Sequence, residues 1–210
     1  TFLSGIVHIG ERKILAGRMG EERAEGLTES LASFGFETAR LKTGTPPRLV
    51  KKTINWEKTD PSWGDKKPKP LSYFSKNFKL KNIPCHTIHT SATSHKIIEK
   101  NLKRSPMFSG DIGGAGPRYC PSIEDKIYRF KEKDSHLLHL EPEWEGSDQI
   151  YLNGFSTSLP ESAQLSALRT ISGLEKVEFF RPGYAIEYDF FPPSQLKASL
   201  ETKNVSGLFF

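Results

Sequence analysis

The sequence predicts an α/β fold, on three observations. Residues 1–41 run strand, loop, helix, strand, an order that builds a sheet with helices packed on it. Segments of two-residue and 3.6-residue apolar period continue to residue 190. An apolar content of 36% over 210 residues supports a core, and a mean hydropathy of −0.50 makes that core thin, which implies long loops or a neighbour to pack against. The length suits one large domain or two small ones.

The elements follow in order. Gly5 divides residues 1–4 from 6–9, which predicts a strand pair. The AGRMG turn (16–20) carries Arg18 between Gly17 and Gly20, where the backbone can approach a ligand closely. Leu27, Leu31 and Phe34 lie at helical spacing, with Gly35 as the stop. Residues 36–41 alternate as a strand. KTGTPPR (42–48) then reads as a ligand loop at that strand's C-terminal end and as a domain boundary, with Thr43 and Thr45 offering hydroxyls and Gly44 close approach. Residues 49–83 read as loop. Residues 84–90 alternate as a strand, and 94–103 form a basic helix with Ile97, Ile98 and Leu102 inward. A helix continues over 123–130, a strand over 136–140 and a helix over 161–171, ended by Gly173. Strands at 177–180 and 185–190 flank the RPGY turn (181–184). Residues 205–210 read as an apolar strand. There is no internal repeat and no low-complexity tract.

Charge is unevenly placed. The formal net charge is +5 and the pI about 9.1, yet residues 40–81 hold twelve Lys/Arg against three acids, a net of +9 that leaves −4 elsewhere. A basic segment in an acidic remainder points to a polyanion partner or to a solvated lysine-rich loop. Trp56, Trp63, Tyr73, Phe74 and Phe78 are interleaved with these lysines. That pattern suits stacked bases and paired phosphates, and equally a satellite core under long loops. Two cysteines, Cys85 and Cys120, exclude a disulfide scaffold and fit a reducing compartment. His86 and His89 fall on opposite faces of their strand, so metal binding is not expected. No apolar run approaches the roughly 18 residues of a membrane-spanning helix. With no initiator Met and strands at both ends, the chain reads as an internal fragment of a longer protein.

The stretch GGAGPRYCPSIEDK (113–126) carries the chemistry. A glycine-rich turn runs into Arg118, Tyr119 and Cys120, then Pro121, and Ser122 precedes Asp125 by three, close to a capping box. Cys120 is thus expected just before a helix start and beside a cation. A free thiol of pKa about 8.5 is roughly a tenth ionised near neutrality, whereas in such surroundings it falls to about 3.5–7.5. A lone cysteine is otherwise a small buried hydrophobe. Neither the dinucleotide fingerprint G-x-G-x-x-G nor a P-loop occurs in the chain.

AGRMG (16–20), RLKTGTPPR (40–48), RSPM (104–107), GPRYCPSIEDK (116–126), STSLP (156–160), RPGYAIEYDFF (181–191) and LFF (208–210) occur together in this order. The chain thereby resembles the central region of the MnmG/GidA family of flavin-dependent tRNA uridine 5-carboxymethylaminomethyl modification enzymes. The resemblance implies an FAD/NAD(P)-binding, glutathione-reductase-like Rossmann fold with an inserted α+β domain. The expected division is 1–48 in the FAD domain, 49–115 inserted and basic, 116–130 a cofactor-facing return, 131–195 inserted again, and 196–210 a strand of the FAD domain. It implies FAD and NADH as cofactors, methylene-tetrahydrofolate as one-carbon donor, the tRNA anticodon region as substrate, an MnmE-family GTPase as partner, a homodimer, and a cytoplasmic location, or a mitochondrial one in a eukaryote. No membrane contact and no metal are implied.

By the same resemblance Cys120 is the functional cysteine, with Arg118 and Lys126 in catalytic support. Cofactor contacts fall on Gly17, Arg18, Gly20, Ala24, Thr43 and Gly44. The family's NAD segment falls on Gly116, Pro117, Arg118, Tyr119, Cys120, Pro121, Ser122, Ile123, Glu124, Asp125, Lys126, Ile127, Tyr128, Arg129 and Phe130. Ala24 stands where the family has a serine, which removes a side-chain hydrogen bond to FAD. Three other readings remain: a plain NADH-dependent flavin reductase with Cys120 lining the nicotinamide pocket, a non-catalytic tRNA-binding module, and a folate-dependent tRNA uridine methyltransferase.

Overall fold

The computed structural model describes residues 2–75, 78, 82–110, 112–113, 116 and 121–210. The α/β class holds, with an antiparallel character that the sequence order does not reveal. A first sheet has the order β2-β1-β10-β3 and a second the order β5-β6-β7-β8-β4-β9, with every named pair antiparallel. The strands are β1 (Leu3–Ile9), β2 (Arg12–Leu15), β3 (Ala39–Thr45), β4 (Arg48–Val50), β5 (Asp60–Ser62), β6 (Cys85–His89), β7 (Leu137–Pro142), β8 (Gln149–Asn153), β9 (Phe179–Arg181) and β10 (Tyr184–Phe190). The helices are α1 (Leu27–Ser33), α2 (Ala92–Asn101), α3 (Pro106–Ser109), α4 (Ile123–Arg129) and α5 (Glu161–Leu168).

Three local expectations are corrected. Gly5 does not turn the chain. Residues 3–9 are one strand, with a register slip between Leu3 and Ile6 and Ser4 at φ +47°. The hairpin closes instead at Gly10-Glu11, where Gly10 takes φ +52° and packs so tightly on Pro160 that a Cβ would lie 2.6 Å from its ring.

The strand expected over 36–41 is shifted to 39–45. Lys42, Thr43, Gly44 and Thr45 therefore lie inside β3, opposite Glu187, Ile186, Ala185 and Tyr184, and not in a loop beyond it. Their ladder partner is some 140 residues away in sequence, so no local window contains it. Phe36 is buried instead against Phe191 and Phe210. Residues 205–210 form a turn with one isolated bridge, Glu201 to Phe209, and not a strand.

The main core lies under the second sheet. Leu49, Ile88, Leu138, Leu140, Ile150 and Leu152 turn one face toward Ile98 of α2, Ile123 and Ile127 of α4, and Ala163, Ala167 and Leu168 of α5. Burial of this apolar surface, at roughly 25 cal/mol per Å2, holds the helices against the sheet. The first sheet has a smaller cluster, Val7, Ile9, Ala16, Tyr184 and Ile186. β3 and β4 are joined by Pro46-Pro47 alone, so the chain passes directly from one sheet to the other and the two meet at this corner. No helix among the described residues is long and apolar enough to cross a membrane.

Candidate active site at the junction of the two sheets

The capping box read from the sequence is present. Ser122 Oγ accepts from the Asp125 N–H at 3.1 Å, and Asp125 Oδ2 accepts from the Ser122 N–H at 3.2 Å. The helix therefore begins at Ile123, and Pro121 precedes the cap. Pro117, Arg118, Tyr119 and Cys120 lie outside the described residues, as do Lys76, Lys79 and Lys81 of the basic segment. Cys85, in β6, is half-buried and free, with burial first and then the charge of Glu141 pushing its thiol pKa up.

The segment 121–130 has two faces. Ile123 and Ile127 belong to the hydrophobic core, so a cofactor can meet only the rest of the helix. Tyr128 is exposed and stacks edge-on against Phe108, with ring centroids 5.1 Å apart. Arg129 and Phe130 are exposed. Lys126 Nζ donates to the Gly154 carbonyl at 3.0 Å, which ties α4 to the end of β8.

Glu124 is fully buried. Its Oε1 accepts from Ser105 Oγ (2.8 Å), Thr157 Oγ1 (2.9 Å) and the Ser158 N–H (3.1 Å), while Oε2 has no partner among the described residues. Burial pushes its carboxyl above the usual carboxylate range, against the pull of these hydrogen bonds. This buried acid joins α4, the start of α3 and the 156–160 turn.

Strand β3 approaches the same region. Lys42 Nζ donates to the carbonyls of Met107 and Ile112, both at 3.4 Å. A Cβ on Gly44 would sit 3.1 Å from Met107 Sδ and 3.5 Å from Ser156 Cβ, and one on Gly116 would lie 4.0 Å from the Lys42 carbonyl. Thr43, Gly44 and Gly116 are thus brought together. The 17–20 turn docks elsewhere, on the RPGY corner: Met19 N–H donates to Tyr184 Oη at 3.4 Å, and Arg181 Nη1 donates to the Met19 carbonyl at 3.0 Å. Ala24 uses its N–H and carbonyl on Phe2 and Ser4 of the first strand.

Between the sheets runs a cleft of about 330 Å3 lined by Arg18, Arg48, Glu143, Trp144, Gln149, Arg181 and Tyr184. Arg48 Nε donates to Glu143 at 2.6 Å, and its guanidinium stands 4.6 Å from the Tyr151 ring centroid. Arg18 pairs with Glu21. Sequence reading singled out the RSPM, STSLP and RPGY motifs and the charge of Arg48. It did not foresee the Glu124 cluster, or that Arg48, Arg181, Tyr184 and Trp144 share one cleft. A glutamate on the apolar side of a predicted helix was the available signal for the first. Among the described residues no group of His, Cys, Asp or Glu is placed to hold a metal ion.

The arrangement defines a class: an α/β protein in which segments from two sheets converge on a ligand-sized cleft. The chain belongs to the family described as Glucose inhibited division protein A, whose family model matches residues 1–210. This is an FAD-binding family. A protein of Cytophaga hutchinsonii named tRNA uridine 5-carboxymethylaminomethyl modification enzyme MnmG is 51% identical over all of this chain. One of the same name from Flavobacterium johnsoniae is 52% identical. The chain spans 34% of the length of each. The solved structure of Aquifex aeolicus GidA in its form I crystal is 46% identical, with a TM-score of 0.90 over all of this chain and 36% of that one.

Proposed function

We propose that this chain is part of an FAD-dependent tRNA modification enzyme that adds a carboxymethylaminomethyl group at carbon 5 of the wobble uridine. NADH is the reductant and methylene-tetrahydrofolate the one-carbon donor. The anticodon region of tRNA is the substrate, and the protein works in the cytoplasm as a homodimer with an MnmE-family GTPase. The likeness along the entire chain, at about 51% identity, to proteins named for this activity carries the reading.

The residues present fit a flavin in one respect. Where a Cβ would stand on Gly20, only the Arg181 guanidinium approaches among the described residues, at 4.0 Å, so a flat ring can reach the backbone there. Gly17, Arg18, Gly20, Thr43 and Gly44, with the backbone of Ala24 nearby, would hold it. Bound there, FAD would supply redox chemistry beside the reacting base. The chain's own chemistry is nucleophilic. Carbon 5 of uracil is a poor nucleophile. A Cys120 thiolate adding at carbon 6 forms a carbon–sulfur bond and moves the ring electrons onto the carbon 4 oxygen, which leaves carbon 5 able to attack the folate-borne methylene, whose bond to one folate nitrogen breaks with the electron pair leaving on that nitrogen. Loss of the carbon 5 proton and expulsion of the thiolate restore the double bond. Arg118 supports the thiolate and the enolate oxygen. The Ser122–Asp125 box fixes where the helix starts, three residues after Cys120. Lys126 anchors the same helix through Gly154.

The test uses the full-length protein. Cys120→Ser is expected to keep FAD, NADH oxidation and tRNA binding while losing modified uridine by several orders of magnitude, as read by mass spectrometry of tRNA. Cys85→Ser is expected to keep all four. Near-normal product from Cys120→Ser sinks the nucleophile. Loss of flavin reduction together with product instead makes this stretch a nicotinamide site.

A further inference from the structure

We infer that the arginine-lined cleft between the sheets binds a nucleotide, with its phosphate on Arg48 and Arg181 and its base against Trp144. The inference rests on the functional reading for the choice of its two probes, RNA and NADH.

Three guanidiniums face one carboxylate, Glu143, across about 330 Å3, a volume within the ordinary range of small-molecule sites. Glu143 is already engaged by Arg48, and Glu21 by Arg18. Arg181 has no carboxylate in ion-pair distance among the described residues, and its one hydrogen bond goes to the neutral Met19 carbonyl. The cleft therefore carries an excess of positive charge. Arginines from different strands, aimed into one space, suit a phosphate better than a point charge does, because each presents a planar fork of donors.

The walls supply the other half of a nucleotide. Trp144 is 57% exposed and borders both this cleft and an adjoining depression of about 380 Å3 that reaches Tyr151. An indole left in solvent beside a cluster of guanidiniums is a stacking platform that any base can use. Gln149 offers an amide on the same wall. Tyr184 of β10 and Arg18 of the turn after β2 come from the side of the first sheet, and Arg48 of β4, Arg181 of β9 and Trp144 of the turn after β7 from the side of the second, so the ligand would bridge them.

A nucleotide phosphate could come from the RNA chain or from the dinucleotide NADH, and the test separates the two. Arg181→Gln and Trp144→Ala are made in the full-length protein. Equilibrium affinities are measured for an anticodon stem-loop oligonucleotide across a salt series and, separately, for NADH. The Trp144 side chain makes no hydrogen bond among the described residues, and its carbonyl bond from the Ser147 N–H survives in alanine, so this variant keeps the test open if Arg181→Gln does not fold. For an RNA phosphate, both variants weaken stem-loop binding at least fivefold, and Arg181→Gln flattens the salt slope by about 0.7, while NADH is unaffected. For the dinucleotide, NADH affinity falls by the same factor and the stem-loop is unaffected. Folded variants that change neither affinity by twofold overturn the inference, as does a parent protein that binds neither probe. A parent that binds the stem-loop but makes no modified uridine overturns the functional reading and leaves the cleft's role intact.

Discussion

Replacing Glu124 with alanine strands its hydrogen-bond donors in a sealed interior. Of the three groups that meet Oε1, the Ser105 hydroxyl retains Ser158 Oγ at 2.8 Å as an alternative, but the Thr157 hydroxyl and the Ser158 N–H have none of comparable geometry. Two stranded donors at about 1–3 kcal/mol each, with the cavity left by the missing carboxyl, give a loss of about 3–5 kcal/mol. Glu124→Gln keeps the accepting oxygen, and its amide nitrogen takes the place of an oxygen that already lacks a partner, so it is expected within about 1 kcal/mol of the parent. The two variants also separate in pH. An unfolded glutamate titrates near 4.5, and burial raises the folded carboxyl above that. The group's contribution is therefore full below 4.5 and is lost as pH rises through the folded value. Lowering the pH from 7 toward 5 should stabilise the parent relative to Glu124→Gln, by up to about 1.4 kcal/mol per unit. Urea unfolding of the full-length protein at pH 5, 6 and 7, followed by circular dichroism, reads both effects. An alanine variant as stable as the parent refutes the buried cluster, and a parent–glutamine difference that is flat with pH refutes the raised carboxyl pKa.

Neutralising Lys51, Lys52, Lys66, Lys67 and Lys69 in the full-length protein is expected to weaken tRNA binding and flatten its salt dependence; an unchanged slope of log K against log salt makes the segment solvated surface. Gly183→Ala is expected to cost about 1–3 kcal/mol in unfolding experiments, because the new Cβ would lie 2.8 Å from Thr157 Cγ2 and 3.0 Å from the Thr45 carbonyl. Arg40→Ala removes the partner of both Glu187 (3.0 Å) and Asp189 (2.8 Å) and is expected to lower the melting temperature of the full-length protein measurably; no change would show that solvent already screens the pair. Residues 1–210 expressed alone are expected to purify without stoichiometric FAD, since no G-x-G-x-x-G lies within them; yellow protein with flavin at one per chain contradicts this.

The sequence by itself determined whatever depends on neighbours a few residues apart. The helices α1, α2, α4 and α5 follow from apolar spacing, and the Ser122–Asp125 box from a three-residue interval. Its ordered motifs also pointed to the family that the comparisons show. Tertiary structure decided what depends on partners far along the chain. The 42–45 stretch became strand because β10 lies beside it, and the hairpin moved to Gly10 because Pro160 and Ser158 pack there. Glu124 sits on the apolar side of its helix next to Ile123, and only the convergence of Ser105, Thr157 and Ser158 supplies the partners that hold an acid in the interior. Arg18, Arg48 and Arg181 are ordinary basic residues in sequence, separated by up to 163 positions. They form one cleft because two sheets meet at Pro46-Pro47, and folding brings charges together at separations that no local pattern encodes.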